Sequence, residues 1–312
     1  MRQSPIRRSL ALALLAGVTV STPALARAQS TGDTSFALPR NAVIDITVRS
    51  GTLLVRGSDR NTAELRADDQ RYSLRTTGVG VTLSSREDRS RSNADRRGSR
   101  DSRLELSVPR GVRVLVSAYS ADVEVQDIAG DVEIHSTSGD IVLRAIGGRM
   151  IAETLSGDIT LAEGAGETRA TTMSGDIVLR GVRGGADVQT TSGEVTLTDM
   201  RAGVVRVESM SGDIAFDGEL AGGARIQLTT HSGDVAVRLA EAASGVLELS
   251  TFNGDLTANR PLTLTAGSIA IRNRSERGTQ RFEFGGGGAA RLSITTFNGD
   301  IRFDRLTLRD FN

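Results

Sequence analysis

The sequence of 312 residues contains no cysteine, and aromatic residues make up only 3% of it. Without cysteine, disulfide bonds, thiol catalysis and cysteine-ligated zinc or iron–sulfur sites are excluded. The two histidines are too few for a histidine-rich metal site. A chain with so few large rings and 35 glycines is not typical of an α/β enzyme.

Lysine is also absent, so arginine supplies all 38 basic residues, and these are balanced by 38 acidic residues. A protein that binds nucleic acid usually carries an excess of positive charge on one face. The balance therefore gives no general signal for a nucleic-acid partner, and we expect none. No residue pattern indicates a cofactor.

Residues 1–28 have the features of a secretory signal peptide. Three arginines precede an apolar stretch from Leu10 to Val20, and small residues at positions 24, 26 and 28 fit the cleavage pattern. The apolar stretch is too short for a stable membrane span, although an uncleaved anchor is the alternative. The sequence thus predicts export to the periplasm or the cell surface, with no membrane span in the mature chain.

The tripeptide Ser-Gly-Asp, or a close variant of it, recurs along the chain at nearly constant spacing. Its glycine stands at positions 139, 157, 175, 193, 212, 233, 254 and 299, with steps of 18, 18, 18, 19, 21, 21 and 45. Ala121 and the segment 50–52 continue the series towards the N-terminus. The last step of 45 fits two coils plus an insertion around Asn273–Gln280.

When the copies are aligned, apolar residues recur with period two, which indicates strands with one buried face. A single copy cannot bury such a face alone, whereas stacked copies bury a continuous one. We therefore predict an all-β parallel β-solenoid (β-helix) with about 18 residues and two short strands per coil. Residues 112–258 should stack in register, with Ile141, Ile159 and Ile177 in adjacent coils. An antiparallel sandwich is the alternative.

The chain divides into three predicted parts. Residues 1–28 are the signal peptide, residues 29–103 are N-terminal capping strands, and residues 104–312 are the solenoid repeat domain. Within the second part, residues 84–103 are rich in arginine and lack large apolar residues, which predicts a disordered insertion. Such a run could bind polyanions, but its interleaved acids favour a solvated loop.

The run LELSVPRGVRVLVSAYSADVEVQDIAGDVEIHSTSGDIVLRAIGG, residues 104–148, resembles a bacterial family of unknown function whose members are proposed adhesins. The resemblance extends over residues 104–303 and rests on the repeated Ser-Gly-Asp coils and on the entry motif L-x-L-x-V-P-x-G-V-x-V-x-V. It implies an extracytoplasmic β-helix. The resemblance brings no catalytic residues, so none is assigned here.

An acidic column follows the repeated glycine. Carboxylates in neighbouring coils, about 4.8 Å apart, repel one another by about 1 kcal/mol even in water, so something must offset the repulsion. We expect hydrogen bonds from backbone N–H groups of the turns to do so. The alternative is a row of Ca²⁺ ions, for which the supply of oxygen ligands is short. The calcium candidates are Asp140, Asp158, Asp176, Asp213 and Asp234.

Two further columns precede the repeated serine. One carries Ser or Thr in every coil and should point inward, where its hydroxyls would form a hydrogen-bonded ladder at the bend. The next column is variable and contains large apolar residues. It either packs the corner of the core, which is the reading we favour, or forms an exposed binding stripe. Its members are Tyr119, Leu155, Met173, Met210, His231, Phe252 and Phe297.

Signals for catalysis are weak. His231 stands near Ser232 and Asp234, but this serine and aspartate belong to the repeat and recur in coils without a histidine. The sequence therefore predicts a non-enzymatic, exported β-solenoid, an adhesin-like binding and scaffold module whose partner is an envelope or surface component, either a polysaccharide or a protein. The alternative is a carbohydrate-active β-helix enzyme of the polysaccharide lyase or hydrolase type.

Overall fold

The computed structural model describes residues 27–30, 34–67, 71–76, 80–86, 103–259, 261–264 and 279–305. These residues form strands joined by turns. In the part of the chain so described, no helix has the length and hydrophobicity that a membrane crossing requires. The predicted signal segment lies outside the described residues, except for positions 27 and 28, which begin the first strand.

The strands fall into an N-terminal group, a regular central group and a C-terminal group. The N-terminal strands are β1 (Arg27–Ser30), β2 (Thr34–Ala37), β3 (Val43–Ser58), β4 (Thr62–Ala67), β5 (Arg71–Thr76), β6 (Gly80–Arg86) and β7 (Arg103–Pro109). The central strands are β8 (Arg113–Gln126), β9 (Val132–Ser138), β10 (Ile141–Ile146), β11 (Met150–Ser156), β12 (Ile159–Gly164), β13 (Thr168–Ser174), β14 (Ile177–Arg180), β15 (Ala186–Ser192), β16 (Val195–Met200), β17 (Val204–Ser211), β18 (Ile214–Gly218), β19 (Arg225–Ser232) and β20 (Val235–Leu239). The C-terminal strands are β21 (Gly245–Asn253), β22 (Leu256–Ala258), β23 (Thr263–Leu264), β24 (Gln280–Phe284), β25 (Ala290–Asn298) and β26 (Ile301–Arg305).

The central strands form a parallel stack with two strands in each coil. Each strand pairs with the equivalent strands one coil before and one coil after it, so that β12 pairs with both β10 and β14. Ile141 lies opposite Ile159, and Ile159 lies opposite Ile177. The predicted parallel β-solenoid is confirmed, and the antiparallel sandwich is wrong for this region.

The core consists of the inward-facing side chains of these strands. In β12, for example, the side chains alternate between buried and partly exposed, and Ile159 and Leu161 are fully buried. Because coils are about 4.8 Å apart, each buried residue packs against its equivalents above and below. The stack therefore buries a continuous apolar column that no single coil could enclose.

The Ser-Gly-Asp turn joins the two strands of a coil and needs glycine for two reasons. At Gly175 the backbone has a φ of 146°, a value that residues with a Cβ rarely adopt. A Cβ placed there would also collide with the carbonyl group of Gly157 in the preceding coil. The stacking of coils thus explains why the glycine recurs.

A second bend follows the second strand of a coil and also has positive φ. Five successive coils use the left-handed region here, at Asp127, Ala145, Glu163, Gly181 and Asp199, with φ between 51° and 65°. Only one of the five is glycine. This left-handed bend column therefore tolerates side chains that the Ser-Gly-Asp turn excludes.

The N-terminal end of the stack is closed by antiparallel strands. β3 continues the central stack, since Gly51 lies opposite Ala121 of β8. On its other side β3 pairs in parallel with β6 and β7. β4 then runs antiparallel on β7, and β5 runs antiparallel on β6. These strands cover edges that could otherwise pair with another chain, as expected of capping strands.

Two predicted boundaries need correction at this end. Because β3 belongs to the stack, the solenoid begins before residue 104. The predicted insertion at 84–103 is also too long, because residues 84–86 complete β6 and Arg103 begins β7. Ser85 is buried and its hydroxyl accepts a hydrogen bond from the backbone N–H of Arg49. Residues 87–102 lie outside the described residues.

At the C-terminal end the coils do not follow one another in chain order. β25 and β26 pair with β19 and β20 on one side and with β21 and β22 on the other. The coil formed by residues 290–305 therefore lies between two coils that precede it in the sequence. The prediction that the step of 45 residues holds two successive coils is wrong. The prediction that residues 245–258 stack directly on the central group is also wrong.

Burial of apolar side chains favours this order. The inserted coil carries Ile301 and Phe303, both fully buried. The outermost coil carries the smaller Ala258 and the partly exposed Leu256 in the same columns. Large apolar side chains gain most when they are covered on both sides, so the coil that has them lies inside. The antiparallel strand β24 pairs with β21 at this end of the stack.

Candidate functional site

The carboxylates of the Ser-Gly-Asp turns form a hydrogen-bonded ladder along the solenoid. The backbone N–H of Asp158 donates to Oδ1 of Asp140 at 2.9 Å, and that of Asp176 donates to Oδ1 of Asp158 at 2.8 Å. The ladder continues further along, where the N–H of Asp234 donates to Oδ1 of Asp213 at 2.8 Å. Hydrogen bonding to the turns is confirmed, and it runs from one coil to the next.

This ladder uses one oxygen of each of these carboxylates for a neighbouring N–H. Each such bond favours the charged carboxylate and so offsets the repulsion along the column. Among the described residues, no group of three or more His, Asp or Glu side chains is placed to hold a metal ion. Calcium binding by the acidic column stays a prediction to be tested by experiment.

The hydroxyl column points inward as predicted. Thr172, Thr230 and Thr296 are each at most 3% exposed. The hydroxyl of Thr230 donates to the carbonyl oxygen of Gly212 at 3.1 Å, and that of Thr296 donates to Gly233 at 3.1 Å. These hydroxyls therefore bind the turn of the adjacent coil, whereas the first hydroxyls of the column bind the turn of their own coil. The expected ladder is not continuous, because two hydroxyl oxygens in the middle coils have no hydrogen-bond partner.

The variable column faces outward. Its apolar members are exposed by between 39% and 60%, so the interpretation that they pack the corner of the core is wrong. The exposed members are Tyr119, Leu155, Met173, Met210, Phe252 and Phe297, and His231 is exposed as well. We call this row of side chains the apolar stripe.

Three rings of the apolar stripe stack on one another at its C-terminal end. The ring of Phe297 lies 5.0 Å from His231 and 4.7 Å from Phe252, with interplanar angles of 10° and 7°. The exchanged order of the last coils places Phe297 at the centre of this stack. Because the ring faces cover each other, the stack presents ring edges to its side.

A groove of about 880 Å³ runs beside this part of the apolar stripe. It crosses the strands from β13 to β21 and has a polar wall, a hydroxyl floor and an apolar wall. The polar wall is formed by Thr171, Gln189, Glu208, Thr229, Thr295 and Ser250. The floor is the hydroxyl column from Thr172 to Thr251. The apolar wall is formed by Thr191, Met210, His231, Phe297 and Phe252.

Few charges face this groove. Among the described residues that line it, only Glu208 and His231 are ionisable. The carboxylate of Glu208 accepts hydrogen bonds from Nε and Nη2 of Arg206 at 3.0 Å and 2.6 Å. Contact with Glu208 raises the pKa of Arg206, which keeps the guanidinium charged beside it. The groove is therefore close to neutral.

The side chains of His231 and Asp234, which stand close together in the sequence, have separate partners in the structure. His231 stacks on Phe297, while Oδ1 of Asp234 accepts the N–H of Asp300 at 2.8 Å. The ring of His135 lies far along the stack, 3.0 Å from both Glu133 and Glu153. A hydrogen bond with His135, the largest cause, and the charges of His135 and Arg113 lower the pKa of Glu133.

Sequence reasoning missed the polar wall of the groove. Thr171, Gln189 and Glu208 stand two residues before the apolar stripe, so the period of two places them on the same outward face. This signal was present in the sequence. The variety of residue types in that column obscured it, because only uniform columns stand out in an alignment of repeats.

Comparison with known proteins places the chain within one family. The sequence profile described as Toastrack DUF4097 matches residues 41–304. The match begins well before residue 104, in agreement with the inclusion of β3 in the stack. No curated protein matches the chain.

Two solved structures are similar at a distance. One is a proposed cell adhesion protein from Clostridium sporogenes ATCC 15579, with 8% identity, 89% of this chain and 100% of that chain covered, and a TM-score of 0.28. The other is a proposed adhesin from Bacteroides fragilis NCTC 9343, with 11% identity, 88% and 96% covered, and a TM-score of 0.44. Similarities this distant carry no argument about function.

Proposed function

The chain belongs to the Toastrack DUF4097 family, and from this premise we propose that it is an exported, non-enzymatic binding and scaffold module of the cell envelope or surface. Its partner docks on the apolar stripe and the groove beside it. The observation that carries the proposal is the row of exposed side chains, most of them apolar, on a rigid stack of strands. Contiguous exposed apolar surface is typical of binding sites.

The rigidity of the stack supports a scaffold role. Every central strand between β10 and β18 pairs in parallel on both sides, and the turns are tied by the aspartate ladder. Side chains of the stripe are therefore held at fixed spacing before a partner arrives. Such preorganisation reduces the entropy lost on binding.

A binding role accounts for the conspicuous residues of the repeat better than catalysis does. The Ser-Gly-Asp turn recurs in coil after coil, whereas a catalytic site would be expected in one place. Enzymes that hydrolyse glycosidic bonds generally use a pair of carboxylates. Of the described residues that line the groove, one is a carboxylate, Glu208, and its charge is paired with Arg206. The segment 1–28 supports export.

The proposal is tested by sedimentation of the exported protein with envelope fragments of the source bacterium. We expect the wild-type protein to be retained, and Phe297→Ala to bind about tenfold more weakly, because an aromatic residue at the centre of an interface is a typical hot spot. The matched control is Arg180→Ala, an exposed side chain away from the groove. Circular dichroism should show that both variants keep their strands.

Two results would contradict the proposal. Wild-type protein that stays in solution when envelope fragments are sedimented would remove the binding role. Equal retention of wild type and Phe297→Ala would separate binding from the apolar stripe.

A further inference from the structure

We propose that the groove binds an uncharged glycan chain lying along the solenoid axis, across strands β13 to β21. This inference rests on the proposed function, because it names the ligand class of the surface to which binding is assigned. Four features of the groove carry it: the different character of its walls, its periodicity, its near-neutral charge and the complete pairing of the backbone beneath it.

The walls of the groove match the two kinds of surface on a sugar. Thr171, Gln189 and Glu208 offer hydroxyl, amide and carboxylate groups on one side, while Met210 and Phe297 offer apolar surface on the other. In a pyranose the ring faces carry C–H groups and the rim carries hydroxyls. A glycan can therefore bond the polar wall through its hydroxyls and pack its C–H groups against the apolar wall. The stacked rings present their edges, so this packing is van der Waals contact.

The groove is periodic as well as amphipathic. The same three columns recur at each coil, with a spacing of about 4.8 Å. Six adjacent coils line the groove, which gives it a length of about 24 Å from five such spacings. This spacing is close to the length of one sugar unit in an extended chain. A polymer of similar units can thus repeat its contacts from coil to coil.

Charge and hydrogen bonding argue against the other polymers that an envelope contains. A polyanion needs basic residues in its site, and the described lining residues include no arginine. A peptide strand binds by adding backbone hydrogen bonds to an open sheet edge. The strands beneath the groove have no such edge to offer, because β15 and β17, for example, each pair on both sides.

The test uses envelope fragments treated in two ways before sedimentation with the exported protein. Periodate cleaves the vicinal diols of glycans, and a protease removes exposed protein. We expect periodate to abolish retention and protease treatment to leave it unchanged. High salt should also leave retention unchanged, because an uncharged ligand makes no ion pairs for salt to screen.

Substitutions in the two walls of the groove then show whether the ligand contacts them. Gln189→Ala in the polar wall and Met210→Ala in the apolar wall should each weaken retention about tenfold, the effect of an interface hot spot. The matched control is Val178→Ala, which alters an exposed apolar side chain of β14 that lies outside both the groove and the apolar stripe. It should leave retention unchanged.

The outcomes separate this inference from the proposed function. Retention that survives periodate but not protease would overturn the glycan and keep the binding module. Loss of retention in high salt would show a charged ligand and overturn the inference in the same way. Equal weakening by Val178→Ala would place the site outside the groove. If untreated fragments did not retain the protein, the proposed function itself would be overturned.

Discussion

In the four coils between Gly139 and Asp199, both bends use positive φ, yet only one of them demands glycine. At the Ser-Gly-Asp turn, φ is 146° at Gly175, and a Cβ would lie 2.7 Å from the carbonyl carbon of Gly157. At the left-handed bend column, φ is 65° at Gly181, and the nearest atom to a Cβ, the backbone nitrogen of Glu163, is 3.8 Å away. The two bends thus differ in how closely the backbone of the neighbouring coil approaches them.

This difference shows that the repeat is maintained by contacts between coils more than by the conformation of one turn. The left-handed region costs a residue with a Cβ roughly 1–2 kcal/mol, which Asp127, Ala145 and Asp199 all tolerate. A Cβ inside the neighbouring backbone cannot be tolerated without moving the coil. Glycine is therefore retained where stacked coils approach most closely.

The largest expected effect comes from making the same substitution in both bends. Gly175→Ala should lower the free energy of unfolding by about 3 kcal/mol, the upper range for a strained backbone position, because the Cβ meets the backbone of Gly157. Gly181→Ala should lower it by about 1 kcal/mol, since only the φ is unfavourable. Urea midpoints with unchanged m-values measure both.

Arg180→Ala provides the baseline, because an exposed side chain at the end of β14 should change stability by about 0.5 kcal/mol or less. If Gly175→Ala and Gly181→Ala proved equally destabilising, the close approach of coils would not explain the recurrence of glycine.

A smaller effect should distinguish the carboxylates of the two bends. Asp158→Ala removes the acceptor of the Asp176 N–H and should cost about 1 kcal/mol, the typical value of one such hydrogen bond. Glu163→Ala removes an exposed carboxylate from the left-handed bend column and should change stability by about 0.5 kcal/mol or less. Equal urea midpoints for the two variants would show that the aspartate ladder contributes little.

No effect is expected from calcium. Since Oδ1 of Asp140, Asp158 and Asp213 already accepts a backbone N–H, millimolar Ca²⁺ or EDTA should leave the melting temperature of the purified protein unchanged. A ligand that binds the folded state raises the melting temperature by mass action. A rise of several degrees with Ca²⁺ would therefore contradict the assignment of the acidic column to turn structure alone.

Much of the fold could be predicted because stacking in register turns sequence spacing into spatial contact. The 18-residue steps alone predict that Ile141, Ile159 and Ile177 lie in adjacent coils, as they do. The inward hydroxyl column followed from the period of two. The exposure of the apolar stripe also agrees with that period, since the exposed Leu155 comes directly after the buried Thr154. We favoured a buried corner because alternation fails at a bend, but it fails one residue later, at Ser156.

The candidate site depends on the spatial order of the last coils, which an alignment of the repeats cannot reveal. Residues 245–258 and 290–305 align equally well with every other repeat, so the alignment predicts the same register whichever coil lies inside. The predicted neighbour of His231 was Phe252, whereas the structure places Phe297 there. The aromatic stack and the end of the groove follow from that exchange.

The amino-acid sequence by itself determined the strand period, the coil length, the buried columns and the glycine turn, because each repeats locally and identically along the chain. The tertiary structure alone decided the order of the last coils, the antiparallel caps and the aromatic end of the groove. These features depend on how much apolar surface each whole coil buries in each possible position. Phe303 is covered on both sides only when its coil lies inside the stack, and no spacing along the chain records that preference.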